Sequence, residues 1–189
     1  MALLSLMRAR GLGSLVVAMT LVGAHAGAAQ AVRASASEVQ AVFLFNFAQF
    51  VDWPAEAFPD PQAPLVIGIL GKDPFGSFLD ETVRGEKVRG RAFKVDRYRR
   101  VEDVKDCQIL FISRSEAKRL DGILAALKGR PILTVSNGDD FERPGGVIRF
   151  ILDESKIRLS VDLEAAQVAR LTFSSKLLRS AEIVPASGR

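Results

Sequence analysis

Apolar and polar positions along the chain form blocks typical of a strand–helix–strand fold. The short apolar runs LVIGIL, CQILFIS and PILTV predict buried strands, and RAFKVDRY alternates as a half-buried strand does. Between these runs, apolar residues recur at helical spacing after two start signals: Asp73 followed by Pro74, and Ser113 three residues before Glu116. Such alternation predicts right-handed crossovers and a largely parallel sheet between helices.

The last third of the chain has a different pattern. GGVIRFILDESKIRLSVDL predicts two strands joined by a polar turn at 153–155, hence an antiparallel hairpin. EAAQVARLTFSSKLLRSA predicts one final helix, capped by Asp162. The expected fold is therefore α/β: a single three-layer domain with a mostly parallel central sheet flanked by helices and an antiparallel hairpin near the C-terminus.

The segment EVQAVFLFNFAQFVDWP predicts an aromatic helix that begins at Ser37, in a capping box with Gln40, and ends before Pro54. A helical wheel places most of its phenylalanines, together with Val39, in one broad arc that faces a core. Three apolar residues nevertheless fall among the polar ones. Either the PAEAFPDP loop folds back over them, or they form a surface for a partner or a second copy of the chain. The candidate partner-binding residues are Val42, Phe45, Gln49 and Trp53.

The N-terminus reads as a secretory signal peptide over residues 1–26. Arg8 and Arg10 precede an apolar run that ends in the A-x-A pattern at 24–26. The alternative is an uncleaved membrane anchor, but the run is shorter than the roughly 20 residues that span a bilayer. We therefore expect export and cleavage, a mature domain over 27–189, and no membrane insertion after cleavage.

Cleavage would remove the chain's one histidine, His25, and Cys107 is its one cysteine. The mature chain would thus lack the groups for Ser-His-Asp or Cys-His catalysis, for the usual zinc sites and for an internal disulfide. We expect no enzyme activity, metal or cofactor. Cys107 reads as a buried, inert thiol, with an intermolecular disulfide as the alternative. Losing Arg8 and Arg10 leaves 24 basic residues (26 − 2) against 22 acidic ones, a charge of +2 that argues against nucleic-acid binding.

A small-molecule site is a second hypothesis. Ligands of open α/β sheets bind where parallel strands end and helices begin. Here those positions predict a weak anion-binding site, although ordinary helix capping explains the neighbouring Asp73, Ser113 and Glu116. The candidate ligand-binding residues are Lys72, Arg114, Ser136 and Asn137.

An ordered set of segments resembles one known family. AVFLFNFAQFVDWP, IGILGKDPFG, VRGRAFKV, CQILFISRSE, LTVSNGDDFERPGGVIRF and KIRLSVDLEAAQVARLTFSSKLLRSAEIV together resemble the YfiR-like family of exported bacterial proteins. The resemblance implies a periplasmic α/β protein that is not an enzyme and that forms homodimers in some cases. In the best-understood members it implies a repressor of a diguanylate cyclase in the inner membrane, which controls cyclic-di-GMP. A periplasmic small-molecule sensor or solute-binding protein is the alternative. Members with several cysteines differ from this chain, where Cys107 has no second cysteine to pair with.

Overall fold

The computed structural model describes residues 22–142, 145–153 and 156–184. By compactness the chain divides into two units, Met1–Ala34 and Ser35–Arg189. The second unit contains the sheet and every site discussed below. Most of the predicted signal peptide lies outside the described residues, so its cleavage stays a prediction.

Five helices and ten strands make up the described chain. The helices are α1 (Val22–Phe50), α2 (Ser77–Val83), α3 (Leu120–Leu127), α4 (Leu163–Val168) and α5 (Ser175–Leu178). The strands are β1 (Val51–Asp52), β2 (Leu65–Leu70), β3 (Lys87–Val88), β4 (Arg91–Tyr98), β5 (Ile109–Ile112), β6 (Leu133–Ser136), β7 (Ile148–Asp153), β8 (Lys156–Asp162), β9 (Thr172–Phe173) and β10 (Ala181–Val184).

Eight strands form one mixed sheet in the order β10-β8-β7-β6-β5-β2-β4-β3. The five strands from β7 to β4 are parallel, and β8 returns antiparallel to β7. The expected single α/β domain with a C-terminal hairpin is confirmed. Because the chain passes from β2 outward to β4 and then back across to β5, the strand order reverses between β2 and β5.

Alternate residues of β2 and β5 enter two different hydrophobic clusters. Ile67 and Phe111 pack with Leu44 and Phe47 of α1, which are at most 1% exposed. The neighbouring side chains, such as Leu110, pack with α3 instead. Helices therefore cover both faces of the sheet, which explains why these strands read as continuous apolar runs.

The predicted start of the aromatic helix is wrong. Helix α1 is already continuous from Val22, so Ser37 lies inside it and not at its cap. The preceding residues are rich in alanine, the best helix former, which extends the helix upstream. At its other end the helix stops at Phe50, because the next two residues pair with β9. Val39, predicted to face the core, is 43% exposed because it lies at the margin of the apolar arc.

The two predicted cap signals form turns and not α-helical starts. The Asp73 carboxylate accepts the N–H groups of Phe75 and Gly76, at 2.7 and 3.3 Å, but α2 begins only after Gly76. The Ser113 hydroxyl accepts from Ser115 N, yet Arg114–Arg119 is 3₁₀-helical and α3 follows it. Both carboxylates of these signals are engaged by arginines, as described below.

The prediction of a single final helix is also wrong. Asp162 caps α4 as predicted, accepting from Ala165 N at 2.9 Å, but α4 ends at Val168. Arg170 then takes a positive φ of 56°, and β9 pairs antiparallel with β1. Thr172 and Phe173 are residue types that favour strands. They pair with β1, from the other end of the domain, and this pairing overrides the helical pattern.

Candidate functional site

One face of α1 is exposed and partly apolar. Val42 is 41% exposed, Val39 is 43% exposed, and Gln49 is exposed on the same side, one and two turns away. We call Val39, Val42, Phe45 and Gln49 the α1 surface. The opposite side of the helix is fully buried, so the surface stands on a rigid support.

Phe45 lies at the margin of the α1 surface and is half-buried. Its ring packs against Phe93 of β4, with centroids 5.2 Å apart and planes tilted by 49°. This contact holds the side chain in place, so Phe45 contributes part of a ring and not a free aromatic anchor.

Trp53 is held by a hydrogen bond to Gln108, which lies just before β5. Its indole N–H donates to the backbone carbonyl of Gln108 at 3.1 Å. The Gln108 side chain, 1% exposed, accepts from Val66 N at 2.8 Å and donates to the carbonyl of Ala57 at 2.5 Å. The proline-rich loop is therefore tied to Gln108, which also binds Trp53. It does not cover all three apolar residues as the first alternative supposed, because Val42 is left 41% exposed. Trp53 is half-buried and does not join the α1 surface.

Arg91 of β4 also binds this proline-rich loop. Its guanidinium donates to the carbonyls of Asp60 and Ala63, at 3.0 and 2.7 Å, and lies 3.9 Å from the ring centroid of Phe58. These contacts hold the loop against β4. The alternating pattern predicts that Arg91 lies in a strand, but nothing in it predicts this role.

The predicted ligand-binding residues do end neighbouring strands, but most of their polar groups bond within the protein. The Ser136 hydroxyl donates to the carbonyl of Ile112 at 2.7 Å and accepts from Gly138 N at 3.1 Å. Arg114 pairs with Asp139 at 2.9 Å. The Lys72 side chain is exposed, and its backbone N–H donates to the Ser115 hydroxyl at 2.9 Å.

The crevice at the strand reversal is filled by side chains. A Cβ atom added to Gly71 would lie 2.6 Å from Ser115 Oγ and 2.7 Å from Glu116 Oε1. Glu116 is 7% exposed and ion-pairs with Arg119. The geometry therefore lends no support to an anion at this position, where a carboxylate already sits.

The fourth predicted residue, Asn137, contacts α1. Its side-chain amide donates to Gln40 Oε1 at 3.4 Å, and Gln40 is only 5% exposed. This amide pair joins α1 to the end of β6. Gln40 was not predicted as a contact residue, although a polar residue at the centre of the apolar arc is a signal for a buried hydrogen bond.

Arg97 forms ion pairs with two carboxylates near α2. It donates to the Asp73 carboxylate at 2.8 Å and to both oxygens of the Asp80 carboxylate, at 2.5 and 3.1 Å. The hydrogen bond from Arg97 holds the pKa of Asp80 below its usual value, and the same bond raises the pKa of Arg97. These charges brace β4 against α2.

Two findings on chemistry apply to the part of the chain that the structure describes. In it, no cluster of three or more His, Cys, Asp or Glu side chains is placed to hold a metal ion. None of its helices combines the length and the apolarity needed to cross a bilayer.

The fold and these surfaces define an α/β domain with an exposed, partly apolar face on a rigid helix. The chain belongs to the YfiR/HmsC-like family, whose model matches residues 37–182, more than half of the sequence. That family is known for periplasmic regulation of cyclic-di-GMP signalling and is regulatory rather than catalytic. Its members act in this signalling with a protein partner.

No curated protein matches the chain significantly. Among solved structures, an ABC domain in complex with L-Trp from Streptococcus pneumoniae is similar at 10% identity and a TM-score of 0.48. The match covers 64% of this chain and 55% of that one.

Proposed function

We propose that this protein is an exported, periplasmic regulator that represses a membrane-bound diguanylate cyclase through direct protein contact, with the α1 surface as its contact site. The observation that carries the choice of site is the exposure of Val39 and Val42 side by side on one helix. Family membership supports the regulatory role and the signalling system. Repression of a diguanylate cyclase, the α1 surface as its docking site and homodimer formation are proposals.

The composition of the α1 surface suits a protein contact. Two exposed valines form an apolar centre, and Glu38 and Gln49 provide a polar margin, as in interfaces with an apolar core and a polar rim. A standard interface buries about 800 Å² on each partner, so neighbouring residues must also take part. Asn46 is an adjacent side chain of the same face.

The surface is also pre-organised. Phe47 stacks on Phe150 with centroids 6.0 Å apart, and Phe43 contacts Phe150 at 5.8 Å. The Gln40–Asn137 pair adds a polar tie between α1 and the sheet. Because the helix is fixed before binding, little conformational entropy is lost when a partner docks.

The test is a charge placed on the α1 surface. We expect Val42→Asp to weaken capture of the cyclase's periplasmic domain at least about tenfold, since a desolvated carboxylate in an interface core costs more than about 1.4 kcal/mol. Cellular cyclic-di-GMP should rise as repression is lost. Leu152→Asp is the matched control, because Leu152 is a similarly exposed apolar residue on β7, at 49% against 41% for Val42.

Circular dichroism and melting temperature should first show that both variants are folded. Unchanged capture and unchanged cyclic-di-GMP in Val42→Asp and Val39→Asp would remove the α1 surface from the proposal. Phe45→Asp is a poorer test, because it would also disrupt packing on Phe93. Mass spectrometry of the periplasmic protein tests export separately: the mature chain should begin near residue 27, and an intact N-terminus in the cytosol would contradict it.

A further inference from the structure

The turn that follows β6 contains the pair Asn137-Gly138, whose chemistry allows the chain to modify itself. The main-chain nitrogen of the glycine can attack the side-chain carbon Cγ of the asparagine. The new N–C bond closes a five-membered succinimide ring, and the side-chain amide leaves as ammonia. Water then opens the ring at either carbonyl, which gives aspartate or isoaspartate. Glycine favours the attack because it has no Cβ atom to obstruct the ring and adopts most backbone conformations.

In the folded protein the attacking nitrogen is already hydrogen-bonded. Gly138 N donates to Ser136 Oγ at 3.1 Å, and both residues are buried. The Ser136 hydroxyl is itself fixed, because it donates to the Ile112 carbonyl at 2.7 Å. Attack requires Gly138 N to lose its proton and to turn toward Asn137, so its hydrogen bond must break first. A buried, negatively charged nitrogen would also lack the solvation that water supplies.

The Asn137 side chain lies in surroundings that disfavour the same step. Its Nδ2 donates to Gln40 Oε1 at 3.4 Å, which keeps the amide against α1. Its Oδ1 is buried and accepts no hydrogen bond from the residues that the structure describes. Attack on Cγ places a negative charge on this oxygen, and such a charge needs hydrogen-bond donors for its stabilisation. The unpaired oxygen therefore slows the reaction, as the hydrogen bond to Ser136 does.

We propose that Asn137-Gly138 is a deamidation site that the folded turn keeps closed, with Ser136 as the protecting residue. Deamidation then occurs when the turn opens, and reclosing does not reverse it. The product has no side-chain amide to donate to Gln40, and a carboxylate takes the place of the amide. Isoaspartate also adds one carbon to the main chain of the turn. The modification therefore loosens α1 from the end of β6, whether or not the α1 surface binds a partner.

Peptide mass spectrometry of the purified protein, stored at pH 8 with and without urea, measures the reaction. We expect Asn137 to be converted at least about tenfold more slowly in the folded protein, since breaking one hydrogen bond corresponds to about that factor. Asn46 is the other asparagine of the sequence and precedes Phe47 inside α1. It is the internal reference and should change little in either sample.

A pair of variants tests the protecting residue. Ser136→Ala should deamidate about tenfold faster than wild type when folded and at the wild-type rate in urea. Thr134→Ala is the matched control, because Thr134 is a buried hydroxyl of the same strand that accepts from Val147 N and does not bind the turn. Its folded rate should stay near that of wild type.

Two further variants test the cyclisation and its consequence. Gly138→Ala should slow the reaction in urea, because its methyl group obstructs ring closure. The fold accommodates this methyl group, since a Cβ atom there would lie 3.4 Å from Ser136 Oγ. Asn137→Asp reproduces one product and should lower the melting temperature by at least about 3 °C. Deamidated wild-type protein, separated by anion exchange, should show the same direction of change and faster hydrogen exchange in α1.

Four results would overturn the proposal. One is the same deamidation rate with and without urea. Another is equal acceleration by Ser136→Ala and Thr134→Ala, which would mean that overall stability controls the rate. A third is an unchanged rate of Gly138→Ala in urea, which would exclude attack by the main-chain nitrogen. The fourth is a deamidated protein that keeps the melting temperature and the α1 hydrogen exchange of the unmodified protein.

Discussion

Trp53 and Gln108 are joined by a 3.1 Å hydrogen bond from the indole N–H to the backbone carbonyl, across 55 positions of sequence. The Gln108 side chain extends the link to Ala57 and Val66. One buried residue thus connects the end of the aromatic segment, the proline-rich loop and the central strand. This is a structural role for a tryptophan that sequence alone made a candidate for partner binding.

Gln108→Met should lower the free energy of unfolding by about 2–4 kcal/mol. The substitution keeps the volume but leaves Val66 N and the Ala57 carbonyl without partners in a dry environment, at about 1–3 kcal/mol for each unpaired group. Urea denaturation measures the change. Gln62→Met, on an exposed residue of the loop, should stay within about 0.5 kcal/mol of wild type. Equal effects of the two substitutions would show that the buried amide is dispensable.

Two glycines should respond in opposite directions to alanine. A Cβ atom on Gly68 would lie 2.7 Å from Tyr98 Cε2 and 2.8 Å from Cys107 Sγ, so Gly68→Ala should destabilise by about 1–3 kcal/mol through overpacking. Gly122 is exposed inside α3 with nothing within 4 Å of such an atom, so Gly122→Ala should stabilise by about 0.5–1 kcal/mol. Thermal unfolding checks both signs. A stable Gly68→Ala protein would mean that Tyr98 can move aside.

Cys107 should not react with thiol reagents in the folded protein. It is 3% exposed, and burial raises the pKa of its thiol to about 12. The thiolate fraction at pH 8 is then on the order of 10⁻⁴, and the sulfur is covered as well. The measurement is the rate of labelling by a chromogenic disulfide at pH 8, with and without urea. Fast labelling without denaturant, or a disulfide-linked dimer of native protein, would contradict this prediction.

The Asp80–Arg97 ion pair should give a pH-dependent contribution to stability. The pKa of Asp80 is lowered from 3.8, so its stabilisation is fully present above about pH 4 and is lost as the pH falls through the lowered folded-state pKa. Both side chains are about 40% exposed, which limits the contribution to about 0.5–1 kcal/mol.

Asp80→Asn should therefore be less stable than wild type at pH 7 by that amount, and the two proteins should converge as the pH falls through the lowered pKa of Asp80. Unfolding curves across this range measure the difference. Glu81→Gln, on the next and more exposed residue of α2, is the control for removing a negative charge from the same helix. A difference between Asp80→Asn and wild type that does not shrink as the pH falls would assign the effect of Asp80 to something other than its charge.

The strands of the sheet interior were predictable because each is a short apolar run between turn residues. β2, β5 and β6 are covered on both faces, so their composition alone identifies them. β1 and β9 have two residues each, and their pairing depends on a partner about 120 positions away. No local sequence pattern predicts such a long-range pairing.

The same limit applies to the candidate site. A helical wheel places Val42 and Gln49 away from the core, and the structure leaves both exposed. The wheel also places Phe45 and Trp53 away from the core. In the structure, however, Phe45 packs on Phe93 and Trp53 binds Gln108, two residues from later in the sequence. Periodicity describes one helix, whereas exposure also depends on what the remaining chain brings over it.

The β1–β9 pair, reinforced by a 2.8 Å bond from Ser174 N to the Phe50 carbonyl, has a practical consequence for α1. A synthetic peptide of the excised helix would lose this clasp and expose Leu44 and Phe47 to water. Such a fragment would aggregate or fray, so competition assays need the intact domain to display Val39 and Val42 as the folded protein does.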